Sequence, residues 1–100
     1  MIVNRWPAAH APTKVQAEMI FNSLGLEPYE ESYQPETEVD WHRHVFTETR
    51  MVLEGEMVVN VAGNQLLLRQ GDRIEIPANT RHSTKTNADS CVCICARSAP

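Results

Sequence analysis

The chain has no apolar run approaching the roughly 18 residues of a membrane-crossing helix. Its first residues, MIVNRWPAAHAP, lack the apolar stretch of a secretory leader. Basic residues are in deficit: 9 Lys+Arg stand against 13 Asp+Glu, a formal charge of −4. That balance offers no positive field for a nucleic-acid backbone, and the acids concentrate in EPYEESYQPETEVD. Neither nucleic acid nor a membrane is expected as a partner, and a soluble, cytoplasmic protein is the expectation. Also missing are a Ser-His-Asp set, a phosphate-binding loop and a second catalytic carboxylate pair. With 100 residues there is room for one domain and little area to spare, so a homodimer is the default expectation.

Cysteine occurs three times, an odd count, and only in CVCIC, as Cys91, Cys93 and Cys95. In an extended strand, i and i+2 Cβ atoms lie about 6.5 Å apart, beyond the roughly 4.5 Å upper limit for a disulfide. Free thiols buried as small strand residues are expected, with a thiolate metal site as the functional alternative, although no flanking Cys or His gives zinc-ribbon spacing.

Helix signals are scarce as well. APTKVQAEMIFNSLGLEP reads as one short helix, with Thr13 and Gln16 spaced as a capping box, Val15, Met19, Ile20 and Leu24 as a rough apolar stripe, and Gly25 as the stop. From Glu27 onward the pattern becomes about eight short runs of strand character: YEESY, EVDWHRH, TRMVL, EMVVNV, QLLLR, DRIEI, HSTKT and CVCICA. Gly55, Ala62-Gly63-Asn64, Gly71 and Pro77-Ala78-Asn79 punctuate them. Short strands without intervening helices predict an all-β closed barrel or jelly roll, with residues 1–28 as an N-terminal segment of the same domain and 29–100 as the barrel.

Two of the four histidines stand two apart in a strand pattern. His42 and His44 therefore share a face, with Cα atoms about 6.6–6.8 Å apart, and two imidazoles can converge on one ion. Glu48 follows after a three-residue connection, and Gly55 closes the next strand. Fifteen residues later comes GDRIEIPANTRH, in which Gly71 opens a strand, Pro77 ends it and His82 begins another. With only four glycines and six prolines in the chain, this ordered set is hard to attribute to composition.

These residues resemble the cupin superfamily, whose first motif is similar to Gly, five residues, His-x-His, three or four residues, Glu, six residues and Gly, matched here by His42, His44, Glu48 and Gly55. The second is similar to Gly, five residues, Pro-x-Gly, two residues, His, three residues and Asn, matched by Gly71, Pro77 and His82. Glu36, Asn79 and Thr86 stand where the motifs have Gly, Gly and Asn. The resemblance implies a cupin jelly roll (a double-stranded β-helix) and one divalent transition metal, Zn, Mn, Fe, Ni or Cu, held by His42, His44, Glu48 and His82. It further implies either a metal-dependent enzyme acting on a small organic molecule by dioxygenase, decarboxylase, isomerase or lyase chemistry, with Glu48 fixing the coordination, or a non-catalytic cupin that senses or carries a small ligand.

Strand parity sets expectations for the surroundings. Arg50 shares the Glu48 face, as a bidentate partner for a substrate carboxylate or, alternatively, for an acid of the protein. Asp40 falls on the histidine face, as an acceptor for an imidazole N–H or, more often for such a residue, simply at the solvated mouth. Thr84 and Thr86 share the His82 face, whereas Val39, Trp41 and Arg43 fall on the opposite one, where a second sheet or a partner subunit would cover the tryptophan. Met19, Met51 and Met57 read as core fillers, and His10 as a surface residue.

Overall fold

A computed structural model describes all 100 residues, Met1–Pro100. It contains nine strands and one helix: β1 (Ile2–Asn4), α1 (Lys14–Ser23), β2 (Tyr29–Tyr33), β3 (Glu38–His42), β4 (Thr47–Glu54), β5 (Met57–Val61), β6 (Asn64–Leu68), β7 (Arg73–Ile76), β8 (His82–Thr86) and β9 (Cys91–Ser98). The strands form two antiparallel sheets, ordered β1-β7-β4-β9-β2 and β3-β8-β5-β6, which is the expected all-β jelly roll with one short helix. No helix is long and apolar enough to cross a membrane. β1 is the strand that the sequence does not announce, because its three residues are too few to show alternation; it pairs with β7 from Ile2↔Glu75 to Asn4↔Arg73.

Between the sheets lies an apolar core of Val52, Met57, Val59, Val61, Leu68, Ile74, Ile76, Cys91, Cys93 and Cys95. All three thiols are free and point into it. Burial pushes the Cys95 thiol up to about 12, so it stays protonated near neutral pH.

β4 and β9 are buried on both faces because α1 covers the outside of their sheet, where Ala17 and Phe21 pack on Met51, Leu53, Ile94 and Ala96. Thr13 and Gln16 form the expected capping box. The apolar stripe is corrected in part: Ile20 packs beside the fully buried Ala17 and Phe21, whereas Val15, Met19 and Leu24 are 65%, 64% and 51% exposed. Of the methionines read as core, Met51 and Met57 are buried and Met19 is not.

The turn glycines have identifiable constraints. Gly55 has φ +75°, and a Cβ there would run into the Ser90 carbonyl oxygen; Gly71 has φ +90° and lies flat against the Trp6 ring. Glu36 and Asn79, which replace motif glycines, keep the left-handed backbone at φ 54° and 59°. For an L-residue that conformation costs roughly 1–2 kcal/mol, least for Asn. Ala62-Gly63 forms a two-residue hairpin loop with both φ values positive, closing β5 onto β6 in the register Val61↔Asn64.

Asp72 ties the N-terminal segment to the barrel. Its carboxylate accepts the backbone N–H of Trp6 (3.0 Å) and of Arg69 (2.9 Å), and the Arg5 guanidinium (2.8 Å). Burial alone would raise this carboxyl, but those three donors outweigh it and hold it below the usual range. A lowered carboxyl stabilises the fold fully above its ordinary value of about 3.9 and loses that contribution as pH falls through the lowered one. Asp72→Asn is therefore expected to cost about 1–3 kcal/mol near neutral pH. Thermal melts across a pH series should show the gap to the parent constant above about pH 5 and closing toward pH 3. A gap that stays constant to pH 3 would contradict the linkage.

Candidate metal centre

Beside the apolar core lies a cavity of about 170 Å³ lined by imidazoles, two carboxylates, two guanidinium groups and aromatic rings. His42 ends β3, His44 follows in the connection to β4, and His82 opens β8 directly opposite His42. Their ligand nitrogens all lie within 4.8 Å of one another. The three histidines are thus positioned closely enough to hold a metal ion.

Hydrogen bonding prepares these rings as ligands. His42 Nδ1 lies 2.7 Å from the Asp40 carbonyl and His82 Nδ1 lies 2.9 Å from the Thr80 carbonyl. A carbonyl only accepts, so each Nδ1 carries a proton, which leaves Nε2 as the ring atom that faces the cluster. His42 Nε2 and His44 Nε2 stand 3.1 Å apart. That matches two nitrogens each about 2.1 Å from a shared ion at roughly a right angle. Burial lowers His44 below its ordinary value, which keeps its lone pair available near neutral pH.

Glu48, the first inward residue of β4, puts Oε2 3.5 Å from His44 Nε2 and 3.6 Å from His82 Nε2. Both gaps exceed an ordinary hydrogen bond, and they set the carboxylate beside the nitrogens of two of the imidazoles. Burial would push the Glu48 carboxyl up, but His82 and the Arg50 guanidinium outweigh it and hold it at about 2, so it is ionised. Burial also works against charge on His82; Glu48 and the Thr80 carbonyl overcome it and raise that imidazole. Glu48 thus reaches two of the three imidazoles, while the mutually close cluster is His42, His44 and His82. The donor set of three nitrogens and a nearby carboxylate fits a borderline divalent transition ion. The cysteines lie outside the cluster.

Arg50 points inward and is only 8% exposed. Its Nε donates to Glu48 (3.1 Å), one terminal nitrogen donates to Glu48 and Glu31 (3.2 Å to the latter), and the other donates to the Tyr33 hydroxyl. Tyr33 in turn donates to Glu31, at 2.5 Å. The guanidinium is therefore engaged by acids of the protein.

Other expectations are corrected by a register shift in β3 between Val39 and His42. The irregularity reverses the parity before it: Val39 lines the cavity, and Asp40 offers the histidines its backbone carbonyl while its carboxylate accepts from Trp41 N–H. Trp41 stays 37% exposed, with the Arg81 guanidinium 4.6 Å from the ring centre. Thr84 lines the cavity, but Thr86 is spent on the Gln34 carbonyl and the Thr37 N–H. Reasoning from sequence missed Tyr29, Glu31, Tyr33, Phe46 and Arg97. The first three stand at alternate positions of YEESY, a signal that was available; Arg97 needed the β4–β9 register, which sets it opposite Glu48.

A family model described as a cupin domain matches residues 29–96. No curated protein matches the sequence. Among solved structures, a chain from the crystal structures of the DMSP lyases RdDddP and RnDddQII is similar with a TM-score of 0.69 and 23% identity, over 74% of this chain and 38% of that one. The Drosophila melanogaster CENP-C cupin domain gives 0.63 and 26%, over 71% and 59%. A cupin protein from Bacteroides fragilis gives 0.65 and 18%, over 74% and 65%. The chain spans less than two thirds of the length of each of these structures.

Proposed function

The chain belongs to the cupin domain family, and from that premise we propose that it is a metal-dependent enzyme acting on a small organic molecule, of the dioxygenase, decarboxylase, isomerase or lyase classes. The observation that carries this reading is the convergence of three imidazoles, ligand atoms within 4.8 Å, on a cavity that opens to solvent. Bound there, a divalent ion such as Zn, Mn, Fe, Ni or Cu supplies Lewis acidity and an exchangeable position for a ligand.

The chain's own residues do the rest. His42 and His82 are locked in orientation by the Asp40 and Thr80 carbonyls, and Glu48 adds a carboxylate beside His44 and His82. Arg50 holds Glu48 in place and ionised, and Phe46 stacks on His44 with 4.6 Å between ring centres. A cavity of about 170 Å³ is below the roughly 300–1,000 Å³ of drug-sized pockets, so the substrate is a molecule of few atoms.

A second reading, a non-catalytic sensor or carrier of a small ligand, is favoured by one observation: both cavity carboxylates, Glu31 and Glu48, are tied to Arg50. Neither is then free to move a proton. The two readings separate by stripping the protein with a chelator, restoring each ion in turn, and following a panel of small carboxylic acids by NMR. Metal-dependent consumption of an acid is expected. Binding without turnover in every metal form would overturn the enzyme reading in favour of the sensor.

A further inference from the structure

Two guanidinium groups line the cavity, and they differ in what they have left to offer. Arg50 is buried and engaged by Glu48 and Glu31. Arg97 is exposed at the mouth and has no carboxylate in ion-pair range. It is nevertheless held: its Nε donates to the Tyr29 hydroxyl at 3.2 Å, and its guanidinium carbon lies 4.7 Å from the Phe46 ring centre and 5.6 Å from that of Tyr29. Phe46 stacks in turn on His44, with ring centres 4.6 Å apart and planes 14° from parallel. Because Arg97 is the Cα partner of Glu48 across the β4–β9 ladder, it stands on the same side as the metal-facing carboxylate.

From this we infer that Arg97 is the specificity-determining residue of the cavity, and that the ligand it selects is a small carboxylate whose acid group sits between the guanidinium and the histidine cluster. The inference rests on the metal-cavity reading above and adds the ligand class and the residue that reads it. Charge agrees: Glu31 and Glu48 balance Arg50 and Arg97, so a divalent ion leaves the cavity with two positive charges that an anionic ligand offsets. Geometry agrees too, because a guanidinium fixed by two rings and a hydroxyl presents its remaining N–H groups as a ready fork for a carboxylate.

The test titrates metal-loaded parent and Arg97→Met protein calorimetrically with acetate, malonate and succinate, and with acetamide as the uncharged counterpart. The parent should prefer the acids to acetamide. The variant should lose roughly 10- to 100-fold in acid affinity, with acetamide affinity, metal content and melting temperature unchanged. Arg97→Lys should recover part of the loss, keeping the charge without the fork. Acid affinity equal in parent and Arg97→Met, or a parent that does not distinguish acids from acetamide, overturns the assignment. A parent that takes up no metal yet shows Arg97-dependent acid binding sinks the metal reading and leaves the role of Arg97 standing.

Discussion

Arg50→Met is expected to destabilise the domain by about 3–5 kcal/mol, the scale for removing one partner of a buried ion pair. The guanidinium is the permanently charged partner of the buried Glu48 carboxylate, and it also reaches Glu31 and the Tyr33 hydroxyl. Taking it away leaves the carboxylate in a low-dielectric pocket with only the His44 and His82 imidazoles, at 3.5 and 3.6 Å, beside it. For a domain of this size each kcal/mol lowers the melting temperature by about 4–8 °C, so the effect is large in a thermal melt. Metal-free protein is the proper comparison, since an ion beside Glu48 would take over part of the compensation. Adding Glu48→Gln to Arg50→Met should restore much of the loss, because the cost lies in the orphaned carboxylate rather than in the missing side chain. A single variant within about 1 kcal/mol of the parent would show that the pair contributes only as a solvent-exposed one does.

His44→Ala combined with His82→Ala should take metal content from about one divalent ion per chain to none. The metal-dependent rise in melting temperature should disappear with it; that rise corresponds to about 2.7 kcal/mol when the free ion stands at 100 times its dissociation constant. The metal-free fold should survive the double change, because both rings line the cavity and the apolar core is built from other residues. Circular dichroism of the variant distinguishes loss of ligands from loss of fold. Unchanged metal content in a folded double variant would refute the site.

The barrel was legible because its strands obey a period of two and are punctuated by glycines that cannot be replaced without cost: Gly55 abuts the Ser90 carbonyl, and Gly71 lies against Trp6. The face shared by Glu48 and Arg50 was legible for the same reason, since β4 stays regular through both. What period-two reasoning misses is any interruption of the period. The irregularity between Val39 and His42 turns Val39 inward and leaves Asp40 to act through its carbonyl, and no side-chain pattern announces it. Helix α1 was misjudged for another reason: in so short a helix two apolar faces compete, and Ala17 with Phe21 won because Phe21 fills the space over Met51 and Ile94. Arg97 was invisible because its relation to the histidines runs through pairing with β4, almost fifty residues away in sequence.

The most direct measurement is anomalous scattering from a crystal of the metal-loaded protein, collected on both sides of the absorption edge of the ion supplied. One peak is expected among the Nε2 atoms of His42, His44 and His82, on the Glu48 side, with Arg97 clear of it. Full metal occupancy at any other place, or those imidazoles turned away from a common centre in the loaded protein, would contradict the account.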